Sequence, residues 1–122
     1  MATIMVVDDD DLIIESTRLA LEKNGYKVIT AFSGEEALDM LKTQRPDLIL
    51  LDIMMPGIDG WEVCRNIKKD EKTKDIPVAM FTVRSSEDSV DKSLNYAHAD
   101  AQIDKPFKLE ELFKVVKGLL KE

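Results

Sequence analysis

The chain of 122 residues carries 44% hydrophobic and 34% charged residues, the balance of one globular domain large enough to bury its own core. Its net charge of -7 disfavours nucleic-acid phosphates and anionic membrane surfaces as direct partners. A lone cysteine, Cys64, excludes an internal disulfide; no run is long and apolar enough to insert in a membrane, and no basic-then-apolar leader opens the chain, so a cytoplasmic protein is expected.

In chain order, Thr3 to Val7 is a continuous apolar run, the pattern of a strand buried on both faces. A helix is expected from Asp11 to Asn24, with Gly25 at its C-terminal end. Lys27 to Ala31 reads as a second strand. Ser33 with Glu36 forms a capping-box pattern and opens a helix carrying Ala37, Leu38 and Leu41 inward. Beyond Pro46, Asp47 to Asp52 is a third strand. The turn-rich loop Met54 to Gly60 leads into a helix from Trp61 to Lys69, with Val63 and Ile67 on one face; Cys64, without a CxxC partner, reads as a small buried hydrophobe. Val78 to Val83 is a fourth strand. Ser85 or Ser86 can cap a helix that turns Val90, Leu94 and Ala97 inward. Gln102 to Asp104 is a short fifth strand, and Leu109, Leu112, Phe113, Val116 and Leu120 form a helical stripe.

This alternation predicts an α/β fold: a (βα)5 doubly wound, five-stranded parallel sheet with the flavodoxin-like strand order 2-1-3-4-5, in one domain over residues 1–122. Ligands of such sheets sit beyond the C-terminal strand ends. Those ends carry Asp8 to Asp11, Asp52, Thr82 and Asp104-Lys105-Pro106. Clustered carboxylates remain ionised together only beside a cation. An oxygen-only set suits Mg²⁺, and Mn²⁺ as a second possibility; no His or Cys stands there to favour zinc. A carboxylate beside such an ion and Lys105 can attack a phosphoryl group, with Thr82 donating to one of its oxygens. Taken singly, each residue has an ordinary role: a helix N-cap cluster, a turn cap, a strand threonine, a strand-to-helix turn. Their joint placement at four strand ends favours the chemical reading.

The segments Val6 to Asp9, Leu51 to Gly60, Phe81-Thr82 and Asp104 to Phe107 resemble the response-regulator receiver domains of two-component signalling (CheY-like), and the resemblance covers the whole chain. It implies Asp52 as phosphoacceptor, with Thr82 and Lys105 completing the catalytic set. It implies Asp8, Asp9, Asp52 and the backbone carbonyl of Met54 as ligands of Mg²⁺, and a cis bond before Pro106. The implied donor is a phosphohistidine on a sensor histidine kinase or histidine phosphotransfer protein, with small phosphodonors as substitutes and slow self-dephosphorylation. The implied output is protein contact through helix 4, strand 5 and helix 5, where Lys105, Lys108, Lys114 and Lys117 form a basic stripe. Met54 and Arg84 match variable positions flanking the phosphoryl group.

The chain departs from the family pattern at three places. Val83 replaces a small residue, Gln102 replaces the usual aromatic residue on strand 5, and His98 stands where Gly is common. These departures predict an intact phosphorylation site with an altered readout. A relay intermediate without its own output fits the same residues. An aspartate-nucleophile phosphatase would use Asp8 and Asp10 as a DxD pair but leaves Asp52 and Lys105-Pro106 without a role. His98 reads as a helix-end residue.

Overall fold

Runs of β-branched and apolar residues too short for helices become strands here because both their faces can be covered. The computed structural model describes residues 2–82, the side chain of Thr82 excepted, and 91–122. Its strands are β1 (Thr3–Val7), β2 (Lys27–Ala31), β3 (Leu48–Asp52), β4 (Val78–Thr82) and β5 (Ala101–Asp104). All pair in parallel in the expected order β2-β1-β3-β4-β5. Between them lie α1 (Asp11–Lys23), α2 (Gly34–Met40), α3 (Gly60–Lys69) and α4 (Lys92–Tyr96), and α5 (Leu109–Leu120) follows β5.

Side chains alternate along each strand and so divide the core in two. Met5, Val7, Ile49, Leu51 and Met80 pack with Ala37, Val63, Cys64 and Ile67 of α2 and α3. Ile4, Val6, Leu48, Leu50, Phe81 and Ile103 pack on the opposite face with Ile14 and Leu21 of α1 and Leu112 and Val116 of α5. Each such Leu, Ile or Met contributes roughly 1.5–3 kcal/mol by leaving water. Cys64 is buried as expected; its thiol donates to the Ala97 carbonyl at 3.3 Å, and burial pushes its pKa up to about 12, which makes it a poor nucleophile. Caps set the helix starts: Asp10 accepts from the Leu12 N–H (2.9 Å), Ser33 from Glu36 (3.0 Å) and Asp59 from Glu62 (3.0 Å).

The region after β4 differs from expectation. The Ser85 or Ser86 cap and Val90 lie outside the described residues. Leu94, expected inward, is 43% exposed, while Ser93 is fully buried beside Ala97. The cause is the winding: α4 is a π-helix, closed by the Ala97 N–H on the Lys92 carbonyl at 3.0 Å. A π turn holds more residues than an α turn, which shifts the inward phase from Leu94 to Ser93. His98 then takes a left-handed backbone, φ 62°, and Ala99 donates to the Ser93 carbonyl at 2.8 Å. Asp100 pins this corner, its carboxylate accepting from the Val78 N–H and from Lys68 Nζ, both at 2.8 Å. No described helix is long and apolar enough to cross a membrane.

Candidate functional site

Parallel register brings the strand ends together. Val7 pairs with Leu51, Asp52 with Phe81 and Thr82 with Asp104. The residues next in line, Asp8 and Lys105, therefore flank Asp52. Asp8 is 1% exposed and Asp52 5%, and Asp9 is exposed at the rim. One carboxylate oxygen from each of Asp8, Asp9 and Asp52 lies within 4.8 Å of the others. Lys105 Nζ donates to Asp8 Oδ2 at 2.6 Å and to Asp52 Oδ1 at 3.1 Å.

The electrostatics follow from burial. Desolvation, then the Asp8 charge, push the Asp52 carboxyl up to about 6, and Lys105 only partly opposes them. Burial works against the Lys105 ammonium too, but the hydrogen bond to Asp8 and the charge of Asp52 outweigh it and hold its pKa above the ordinary value. One ammonium among three carboxylates leaves the cluster short of positive charge. An all-oxygen set with that deficit is compatible with a hard divalent cation such as Mg²⁺.

The four consecutive aspartates divide their work. Asp8 and Asp9 enter the cluster, and Asp8 Oδ1 also accepts from the Asp10 N–H at 3.0 Å. Asp10 instead caps α1, and Asp11 lies in that helix's first turn. The N-cap reading and the site reading both hold, for different members of the run. Lys105, by contrast, leaves the basic stripe expected on the surface: its ammonium points into the cluster because both acceptors lie there, while Lys108, Lys114 and Lys117 are exposed.

The other expected site residues stand as follows. Thr82 ends β4 at the rim, level with Asp104. Val83 and Arg84 lie outside the described residues. Met54 follows Asp52 by two residues and is 67% exposed. The Lys105–Pro106 peptide is cis. Gln102 Oε1 accepts from the buried Ser93 hydroxyl at 2.6 Å.

Two residues support the site in ways their sequence context does not show: Gly60, read there only as the end of a turn-rich loop, and Ser93. Gly60 starts α3 hard against the end of β3: a Cβ there would lie 2.1 Å from the Asp52 carbonyl oxygen and 2.7 Å from Ile53 Cα. Its N–H donates to the Ile53 carbonyl at 2.9 Å. Only glycine permits that approach, and the end of β3, with Asp52, depends on it. Ser93 is the second. Its burial depends on the π winding of α4, which no periodicity argument anticipates.

Comparison with known proteins agrees with this geometry. Residues 4–117 match the family model described as the response regulator receiver domain. The response regulator MprA of Mycobacterium avium is 45% identical over 118 residues, which are 97% of this chain and 50% of that protein. The chain thus spans about half the length of the curated relatives it matches. A putative response regulator of Chloroflexus aurantiacus superposes with a TM-score of 0.94 at 36% identity, covering 99% of this chain and 98% of that one. The response regulator TrrA of Thermotoga maritima, solved in complex with Mg²⁺-BeF, gives a TM-score of 0.87 at 41% identity, covering 98% and 99%. With the sheet order, the strand-end acids and the match along nearly its full length all in agreement, the chain belongs to the receiver domains of two-component response regulators.

Proposed function

We propose that Asp52 is the phosphoacceptor, taking a phosphoryl group from a phosphohistidine of a sensor kinase or histidine phosphotransfer protein. The observation that carries this is the convergence of Asp8, Asp9 and Asp52 with the Lys105 ammonium at the C-terminal strand ends. An Asp52 carboxylate oxygen forms the new O–P bond as the P–N bond breaks, and the departing imidazole keeps the electron pair and takes up a proton. Asp8, Asp9, Asp52 and the Met54 carbonyl would hold Mg²⁺, or Mn²⁺, which supplies positive charge opposite the phosphoryl oxygens. Lys105 supplies a second positive charge to those oxygens, and the Thr82 hydroxyl donates to one of them. Met54, two residues beyond Asp52, would border the approach to the acceptor; the flanking roles expected of Val83 and Arg84 fall outside the described residues. Water attack on the acyl phosphate later restores Asp52, so the domain acts as a timed signal rather than as an enzyme of small-molecule turnover.

The role of Asp10 in capping α1 weighs against a phosphatase built on Asp8 and Asp10. The output is altered protein contact through α4, β5 and α5, in the cytoplasm, with no nucleic acid or membrane bound by this chain itself.

The test is incubation with Mg²⁺ and acetyl phosphate followed by intact-mass measurement. A gain of one phosphoryl group is expected in the wild-type chain and absent in Asp52→Asn or with a chelator. No gain, from either acetyl phosphate or a phosphohistidine donor, would overturn the assignment.

A further inference from the structure

Gln102 belongs to a hydrogen-bond chain that crosses three elements. Trp61 Nε1 donates to Ser93 Oγ at 3.0 Å, and Ser93 Oγ donates to Gln102 Oε1 at 2.6 Å. The hydroxyl in the middle is fully buried, so leaving either bond unmade would strand a polar atom away from water. Both ends of this chain lead to the phosphoacceptor. Trp61 follows Gly60, whose backbone rests on the Asp52 carbonyl. Gln102 stands three residues before Lys105, on the strand that delivers its ammonium to Asp52. The middle, Ser93, belongs to α4. A second hold joins α3 and α4: Lys92 Nζ lies 4.4 Å from the Trp61 ring centre and 5.4 Å from that of Tyr96 on its own helix.

Resting on the phosphoacceptor reading of Asp52, we propose that Ser93, with Gln102 and Trp61, positions α4 according to the charge state of the site. A phosphoryl group on Asp52 draws Lys105 toward its oxygens and so pulls on β5 at one end of the chain. It also crowds the β3–α3 junction at the other. Ser93 cannot keep both bonds at 3.0 and 2.6 Å while the two ends move apart, so α4 shifts and its exposed Leu94 and Tyr96 are re-presented. None of the three side chains touches the reacting atoms; they are positioning residues, and phosphorylation itself does not need them.

Trp61 is the only tryptophan, so its emission reads this chain directly. The experiment adds Mg²⁺ with fluoroberyllate to the wild-type, Ser93→Ala, Gln102→Leu and Gln102→Glu proteins and follows indole emission. In parallel, Mg²⁺ with acetyl phosphate is followed by intact mass. The wild-type emission should change on loading. Ser93→Ala and Gln102→Leu should lose at least about three-quarters of that change. Gln102→Glu, which keeps an oxygen acceptor for Ser93, should retain most of it. All four proteins should gain one phosphoryl group. A wild-type mass gain with unchanged emission, or a full emission response in Ser93→Ala and Gln102→Leu, overturns the coupling alone. Absence of a mass gain in the wild type from both acetyl phosphate and a phosphohistidine donor overturns both the coupling and the acceptor assignment. If Ser93→Ala does not fold, the partly exposed Gln102 pair decides the matter by itself.

Discussion

Replacing Asp52 by Asn is expected to make the metal-free protein more stable, although it removes the proposed acceptor. An aspartate of pKa 3.8 in the unfolded chain is pushed up to about 6 in the folded one, chiefly by desolvation and then by Asp8. Between those values the folded form holds a proton that the unfolded form has lost. Stability therefore falls as pH rises from about 4 to about 6 and stays low above that. A shift of about two units corresponds to about 3 kcal/mol at full strength, and water at the open Asp9 rim reduces this to roughly 1–2 kcal/mol. Asn has the same shape, carries no charge, and still accepts from Lys105. Urea unfolding with a chelator present should give Asp52→Asn an advantage of about 1–2 kcal/mol at pH 8 that falls to about half that size at pH 5 and approaches zero only below about pH 4. Saturating Mg²⁺ should reverse the order, because ligand that binds only the folded form stabilises it and the variant lacks one ligand charge. A variant less stable than wild type in chelator at pH 8, or an advantage of equal size at both pH values, would refute the reasoning from buried charge.

Two further outcomes follow from the same site. Lys105→Met leaves the buried Asp8 and Asp52 without their shared cation and should cost about 2–4 kcal/mol in chelator, with Mg²⁺ restoring more stability than in wild type; thermal unfolding with and without Mg²⁺ measures this. Gly60→Ala forces a Cβ to within 2.1 Å of the Asp52 carbonyl oxygen. It should cost at least about 2 kcal/mol in urea unfolding and slow acetyl-phosphate labelling of the molecules that remain folded; a neutral effect on both would mean the β3–α3 junction yields easily.

Much of this architecture was legible in local pattern. β-branched runs alternating with helical stripes fix a parallel sheet because strand and helix periods are properties of neighbouring residues, and acids at the strand ends mark a site because such sheets gather those ends on one edge. Cys64 read correctly as core for the same reason. The α4 region did not follow its pattern: the spacing of Leu94 and Ala97 suits an α-helix, and the π winding that buries Ser93 instead is held by the corner at His98, Ala99 and Asp100 and by the Lys68 ammonium.

By itself, then, the amino-acid order determined the element types, their sequence and the residues available for chemistry, since these depend on side-chain kind and short-range spacing. Folding decided which of Asp8 to Asp11 enter the cluster, where the Lys105 ammonium points, why residue 60 must be glycine, and what Gln102 holds. Those outcomes rest on contacts between residues as far apart in the chain as Asp8 and Lys105, 97 positions, and such distances are set only when the sheet closes and the helices pack.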